Sequence, residues 1–308
     1  MRYMHSLTKG RTMKKRIGFI GVGLMGHWMA RHLLSAGFPV VVHDIDQAKV
    51  DALVKMGGEK MSSPELIPPA VDVIMMSLPN STVVQETVEN SLKLFETGRK
   101  GMIIIDATTA DPTMSAGLAE RLRKVGIEML DATISGTSEM CAVKDTIFMV
   151  GGKEEIFKAC EPIFAAIARE WIYMGENGKG AVIKLIVNLV LSLNRMALAE
   201  GLTLAKKAGL DQKHTLEVLK KSAAFSKIMD QKGHRMVNKQ FSPPAGTLAI
   251  HYKDVRLMLA LGAKLDCPLP LLSLDAQALA SEVCKGRGEW DSSDIISFYD
   301  DLVSIPPR

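Results

Sequence analysis

Lys184 and Asn188 stand four residues apart in the run GKGAVIKLIVN, and their neighbours there are almost all apolar. A spacing of four puts two side chains on one face of a helix. An ammonium in apolar surroundings loses hydration, its pKa falls toward neutrality, and it can then take up and return a proton. A lysine at a helix start can instead snorkel to water along its aliphatic stem. The spacing alone fits both readings. Gly178 and Gly180 bring backbone close to something just ahead of the lysine, which favours the first.

A second constellation is Gly21-Val22-Gly23-Leu24-Met25-Gly26, entered by the short apolar run Ile17–Ile20 and followed by an apolar-periodic stretch. In such a turn the first glycine permits the sharp bend. The second admits a pyrophosphate to the backbone, and the third lets helix and strand pack closely. The free N–H groups of the helix start would hold the phosphates. Asp44 ends the next apolar run, 18 residues past Gly26. That is where an acid binds the adenosine ribose hydroxyls. Strand, turn, helix, strand and acid in register predict a dinucleotide site. Asp44-Ile45-Asp46 carries two acids and no arginine, so it would repel a 2′-phosphate and favours NAD over NADP.

Three further segments offer groups at the ends of predicted strands, where ligands bind in doubly wound sheets. Asp131-Ala132-Thr133-Ile134-Ser135-Gly136-Thr137 follows the strand Ile127–Leu130. Its Ser–Gly–Thr turn could cradle a carboxylate with hydroxyls and successive N–H groups; an ordinary polar turn is the plainer reading. Ser77-Leu78-Pro79-Asn80 could press apolar surface on an adenine, and Asp106-Ala107-Thr108-Thr109 could place a hydroxyl near a nicotinamide. Each also reads as a plain turn. His251-Tyr252-Lys253-Asp254 precedes an apolar helix, where Asp254 would favour the positive end of the helix dipole.

The elements that must position these groups fall into two kinds. Apolar runs at Arg16–Ile20, Pro39–His43, Val71–Ser77, Met102–Asp106, Ile127–Leu130, Thr146–Val150 and Trp171–Met174 alternate with helical patterns. That alternation predicts a parallel sheet with helices on both faces, and with the glycine turn it predicts a Rossmann domain. From Ala181 onward no strand is predicted. A helix of about 28 residues reaches Ala208, Gly209 closes it and Asp211 caps the next. Further helices are expected at Gln212–Ser222, Tyr252–Leu261 and Leu271–Lys285. The expected architecture is an α/β Rossmann domain followed by an all-α C-terminal domain. Residues 1–13 would be a disordered extension, 14–176 the dinucleotide domain and 177–308 the helical substrate and oligomerisation domain.

Charge narrows the partners. The first 16 residues hold six cations and no acid, so the rest of the chain carries net −2 against the +4 of the whole. A weakly acidic body gives no electrostatic footprint for nucleic acid. Ala181–Leu193, the most apolar stretch, is broken by Lys184 and Asn188 and is too short to cross a bilayer. It reads as a buried helix, with no membrane partner expected. The four cysteines show no CxxC or metal spacing and are expected to be free buried thiols in a reducing cytoplasm, with no metal site.

The blocks GFIGVGLMG, DATISGT, GKGAVIKLIVN and KDVRLMLALG occur in this order. Together they resemble the β-hydroxyacid dehydrogenase family, from about Lys15 to Val303. The resemblance implies NAD-dependent, reversible hydride transfer on a small β-hydroxy acid of the 3-hydroxyisobutyrate kind. Tartronate semialdehyde or succinic semialdehyde reduction is the alternative, and a non-catalytic dinucleotide module a more distant one. By the resemblance Lys184 is the general acid/base and Asn188 its partner, orienting lysine or substrate. Gly21, Val22, Gly23, Leu24, Met25, Gly26, Asp44, Leu78, Pro79, Thr109 and Lys253 contact cofactor. Ser135, Gly136, Thr137, Asn188, Phe241, Lys253 and Asp254 contact substrate. A 6-phosphogluconate dehydrogenase shares the plan but needs a larger helical domain, and imine-reducing relatives lack the lysine. The resemblance also implies a homodimer or homotetramer. Three departures stand out: Trp28 replaces a common proline, Val187 the first of a paired Asn-Asn, and Thr137 a second glycine.

Overall fold

The computed structural model describes residues 14–303; the expected disordered extension, residues 1–13, lies outside them. The chain divides into two compact units, one running to Gly180 and one from Ala181 on.

The first unit is built on seven strands: β1 (Ile17–Ile20), β2 (Val40–His43), β3 (Val73–Met76), β4 (Ile103–Asp106), β5 (Glu128–Ser135), β6 (Ile147–Gly151) and β7 (Glu170–Gly175). They form one sheet in the order β2-β1-β3-β4-β5-β6-β7. Every pairing is parallel except β5 with β6, which run antiparallel. The expectation of a wholly parallel sheet fails at that one place. A parallel return needs a crossover of a dozen or more residues, and the short helix Ser138–Ala142 is all that the connection holds.

Alternate residues of the same strands feed two cores, as the period of two requires. Ile17, Phe19, Val40, Val42, Met75, Ile105 and Leu130 pack on one face with α1 (Leu24–Ser35) and α3 (Glu154–Ile167). Ile20, Val41, Ile74, Met76, Ile104 and Met129 pack on the other with α2 (Pro112–Lys124). Asp111 caps α2 by accepting from Thr113 N and Met114 N, with Pro112 in the first turn.

The second unit is helical, and among its described residues there is no strand. Its helices include α4 (Lys179–Lys207), whose first two residues belong to the sheet unit, α5 (Gln212–Lys221), α6 (Leu248–Lys264), α7 (Pro270–Glu282) and α8 (Ile295–Leu302). Gly209 sits at φ +78° just past α4, and Asp211 accepts from His214 N at the start of α5, both as the sequence predicts. The core joins Leu185, Leu198, Leu202, Val255, Met258, Leu272, Leu279 and Ile296.

Two expectations need correction. At 29 residues α4 is long and apolar enough to cross a membrane by length and composition, so the argument from the short run Ala181–Leu193 does not carry. Only a third of its most apolar window is buried; it is not the wholly buried helix expected. Of the free cysteines, Cys141 and Cys160 are buried but Cys267 and Cys284 are exposed.

Candidate active site

At two of its three glycines the turn leaves no room for a side chain. Gly21 lies at φ +87°, and a Cβ there would run into the carbonyl oxygen of Ser77 and come within 2.9 Å of Leu78 Cδ2. A Cβ at Gly26 would strike the carbonyl oxygen of Gly21. Gly23 is different: a Cβ would meet nothing within 4 Å. It caps α1 without any side-chain hydrogen bond, so no side chain satisfies the first-turn N–H groups of Leu24, Met25 and Gly26. Open space before unsatisfied amides at a helix N-terminus is what a pyrophosphate needs. Asp44 accepts from Val22 N at 2.7 Å and from Asp46 N at 2.9 Å. Its carboxylate therefore ties the second strand to the turn and keeps lone pairs for ribose hydroxyls. These residues fit a dinucleotide.

The loops after β3 and β4 join this turn. Leu78 N donates to Thr108 Oγ1 at 3.0 Å, and Leu78 itself lies against Gly21. Pro79 is exposed and Thr109 half-buried. Thr108 is thus a positioning residue, which the sequence reading named only within the segment Asp106–Thr109 while assigning the cofactor contact to Thr109. Asp106 in turn accepts from Thr108 N at 3.0 Å. Burial pushes the Asp106 carboxyl up to about 7 against the pull of the Thr108 bonds, with Asp131 adding repulsion.

The segment Asp131–Thr137 is not the turn expected. β5 continues through it to Ser135, because Asp131–Ser135 pair with β6. Its polar groups are consumed locally: Asp131 Oδ1 accepts from Gly178 N at 2.8 Å, and Thr133 Oγ1 donates to the Gly180 carbonyl at 2.8 Å. Only Ser135, Gly136 and Thr137 remain at the strand end, all half-buried. Gly136 sits at φ +142°, and Thr137 Oγ1 accepts from Met140 N at 3.3 Å to cap Ser138–Ala142. The hydroxyl that Thr137 adds is engaged within its own loop.

In the helical unit Lys184 is the sixth residue of α4 and half-buried. Desolvation lowers its pKa, the carboxylate of Asp254 pulls it back up, and the ammonium of Lys253 lowers it again. Asn188 Nδ2 donates to Asp254 Oδ2 at 3.2 Å, and Lys253 Nζ pairs with Asp254 Oδ1 at 3.0 Å. Lys184, Asn188, Lys253 and Asp254 are therefore one cluster, formed by α4 and α6. The expectation that His251–Asp254 precedes its helix is corrected: α6 begins at Leu248, and Asp254 is buried in its second turn. Phe241 is packed in the core and stacked on Trp290, ring centroids 6.0 Å apart; the structure does not bring it into the lysine cluster. A further polar group, Ser192, Arg195, His251 and Asp275, escaped the sequence reading. The available signal was the helical count itself, since 184, 188, 192 and 195 continue one stripe.

Residues 16–175 match the family described as the NAD binding domain of 6-phosphogluconate dehydrogenase. Residues 178–299 match the one described as NAD-binding of NADP-dependent 3-hydroxyisobutyrate dehydrogenase. The chain belongs to the β-hydroxyacid dehydrogenase family. Among curated members, 2-(hydroxymethyl)glutarate dehydrogenase of Eubacterium barkeri is 28% identical over 94% of this chain and 96% of its own length. The 2-hydroxy-3-oxopropionate reductase of Escherichia coli is 29% identical over 91% of this chain and 96% of its own. The solved structure of Mycobacterium tuberculosis 3-hydroxyisobutyrate dehydrogenase with L-serine superposes with a TM-score of 0.84 at 25% identity, covering 93% of this chain and 99% of that one. Membership of this family makes the chain an NAD(P)-dependent oxidoreductase acting on CH–OH.

Proposed function

We propose that the protein interconverts a small β-hydroxy acid and its carbonyl form, preferring NAD. The observation that carries the reading is the lysine cluster: a half-buried Lys184 held beside the Asn188–Asp254 pair on facing helices. In oxidation the neutral Lys184 Nζ takes the substrate hydroxyl proton; in reduction its ammonium returns a proton to the carbonyl oxygen. When bound, the nicotinamide cofactor accepts or supplies the hydride. Gly21 to Gly26 and Asp44 would hold it, with Leu78, Pro79, Thr109 and Lys253 as further contacts. Ser135, Gly136 and Thr137 would receive the substrate carboxylate, Asn188, Lys253 and Asp254 would orient the substrate, and Phe241 would be the apolar substrate contact that the resemblance implies.

Asp44 and Asp46 support NAD over NADP, since either carboxylate would lie close to a 2′-phosphate and repel it. We expect kcat/KM for NADH to exceed that for NADPH by at least tenfold; equal values would remove the preference. Of the substrate classes, 3-hydroxyisobutyrate-like acids lead, with tartronate or succinic semialdehyde reduction as the alternative. A cytoplasmic homodimer or homotetramer without nucleic acid or membrane partners completes the reading.

The direct test is NAD reduction by the purified protein across a panel of 2- and 3-hydroxy acids, repeated with NADP. Turnover of one β-hydroxy acid is the expected result. Silence across the panel and with the matching semialdehydes plus NADH, while NADH still binds, would overturn the catalytic reading.

A further inference from the structure

The polar stripe of α4 does not stop at the lysine cluster. One turn beyond Asn188, Ser192 Oγ lies 2.6 Å from His251 Nε2 of α6 and donates to Asp275 Oδ2 of α7. Ser192 and Asp275 are each 1% exposed. The two rungs, Asn188–Asp254 and Ser192–His251, climb α4 while descending α6, so the helices run antiparallel here and are pinned twice. The second pin fixes the first, because His251 and Asp254 are three apart on one helix face.

If Asp275 is ionised, Ser192 has one proton to give and gives it to that carboxylate. Ser192 Oγ must then accept from His251 Nε2, which fixes the tautomer of a neutral ring. Arg195, three residues on and 8% exposed, acts on both groups: burial raises the Asp275 pKa while the Ser192 bond and the Arg195 charge oppose it, and that charge also disfavours an imidazolium. Burial and Lys232 also keep His251 neutral, and Asp291 balances Arg195 and Lys232. Nothing in the reaction above consumes these groups.

We propose that Ser192, His251 and Asp275 form a positioning relay that locks the register of α6 on α4 and so sets how Asp254 acts on Lys184. None of the three is a catalytic residue. The inference rests on the reading of Lys184 as acid/base, and its test separates the two.

Lys184 is titrated directly by NMR of protein carrying 13Cε-lysine, its signal assigned with Lys184→Met, and kcat/KM is followed against pH in the same variants. His251→Ala removes the pin, His251→Gln keeps a donor for Ser192, and Ser192→Ala breaks the same pin by one oxygen atom. We expect His251→Ala and Ser192→Ala to lower the Lys184 pKa by at least half a unit, as Asp254 loosens. The same two variants should lose about tenfold in kcat/KM, with NADH affinity unchanged. His251→Gln should return the Lys184 pKa to the parent value and kcat/KM to within twofold of the parent's. Ala and Gln variants that lose alike, or a Lys184 titration unmoved in both disrupted variants, would overturn the relay. A moved titration with unchanged turnover would uphold the relay and overturn the role of Lys184 instead.

Discussion

Lys184 is asked to be neutral in one direction of the reaction and charged in the other, and its surroundings are balanced for that. Desolvation lowers its pKa from the usual lysine value while Asp254 opposes the shift. For oxidation the active form is the free amine, so kcat/KM should rise with pH and level off at a midpoint below the ordinary value near 10.4. Reduction needs the ammonium and should fall through the same midpoint. Asp254→Asn removes the opposing charge, so the midpoint should move further down, and paired pH–rate profiles of parent and variant would show it. A variant midpoint at or above the parent's would mean that Asp254 does not act on the lysine. Lys184→Ala should lower kcat by about 10²–10⁴, the usual share of a positioned acid/base. Its NADH affinity, read by fluorescence titration, should be unchanged. Lys184 and Asn188 could be found by counting along one helix. Ser192 could not be understood that way, because its partners lie 59 and 83 residues away and only the packing of three helices brings them together.

Among the elements, α4 matters most because its first two residues are seated in the sheet unit and its second turn carries the lysine. The seat depends on Gly180, where a Cβ would strike the Asp131 carbonyl oxygen and stand 2.7 Å from that of Met149. Backbone carbonyls in a sheet cannot yield as a side-chain end does, so Gly180→Ala should cost about 3 kcal/mol, in the upper range for overpacking. Gly201, in the interior of the same helix, meets nothing within 4 Å. There Gly201→Ala should stabilise by about 0.5–1 kcal/mol through helix propensity. Urea midpoints of both variants check the contrast; equal effects would contradict the seating of α4. All seven strands were legible as apolar runs between turn signals, and α4 was legible almost to the residue. The extension of β5 was not, because Asp131, Thr133 and Ser135 read as loop residues. They are strand residues: Asp131 accepts from the Gly178 amide, Thr133 donates to the Gly180 carbonyl, and all three pair through the backbone with β6, and no local pattern announces such long-range partners.

At the scale of the whole molecule, stability should carry the mark of a buried acid. Asp106 and Asp131 stand opposite each other in register on β4 and β5, both almost fully buried. Burial lifts the Asp106 carboxyl to about 7, while in the unfolded chain it titrates near 3.9. Between those values the folded protein holds a proton that the unfolded chain has released. Stability from this group is therefore full below about pH 4 and declines as pH rises toward 7, by up to about 1.4 kcal/mol per unit. Asp294, pushed up to about 6 by its own burial, adds a decline of the same sign, so the parent alone cannot isolate Asp106. Asp106→Asn can. An amide oxygen still accepts from Thr108 N, and the ionisation is gone. Between pH 5 and pH 7 the parent should lose about 2 kcal/mol more than the variant in urea unfolding, with the common contribution of Asp294 cancelling in the difference. Parallel losses would mean that Asp106 is already ionised at pH 5 in the folded protein. The carboxylate would then be held by the Thr108 bonds, and desolvation would not decide its charge.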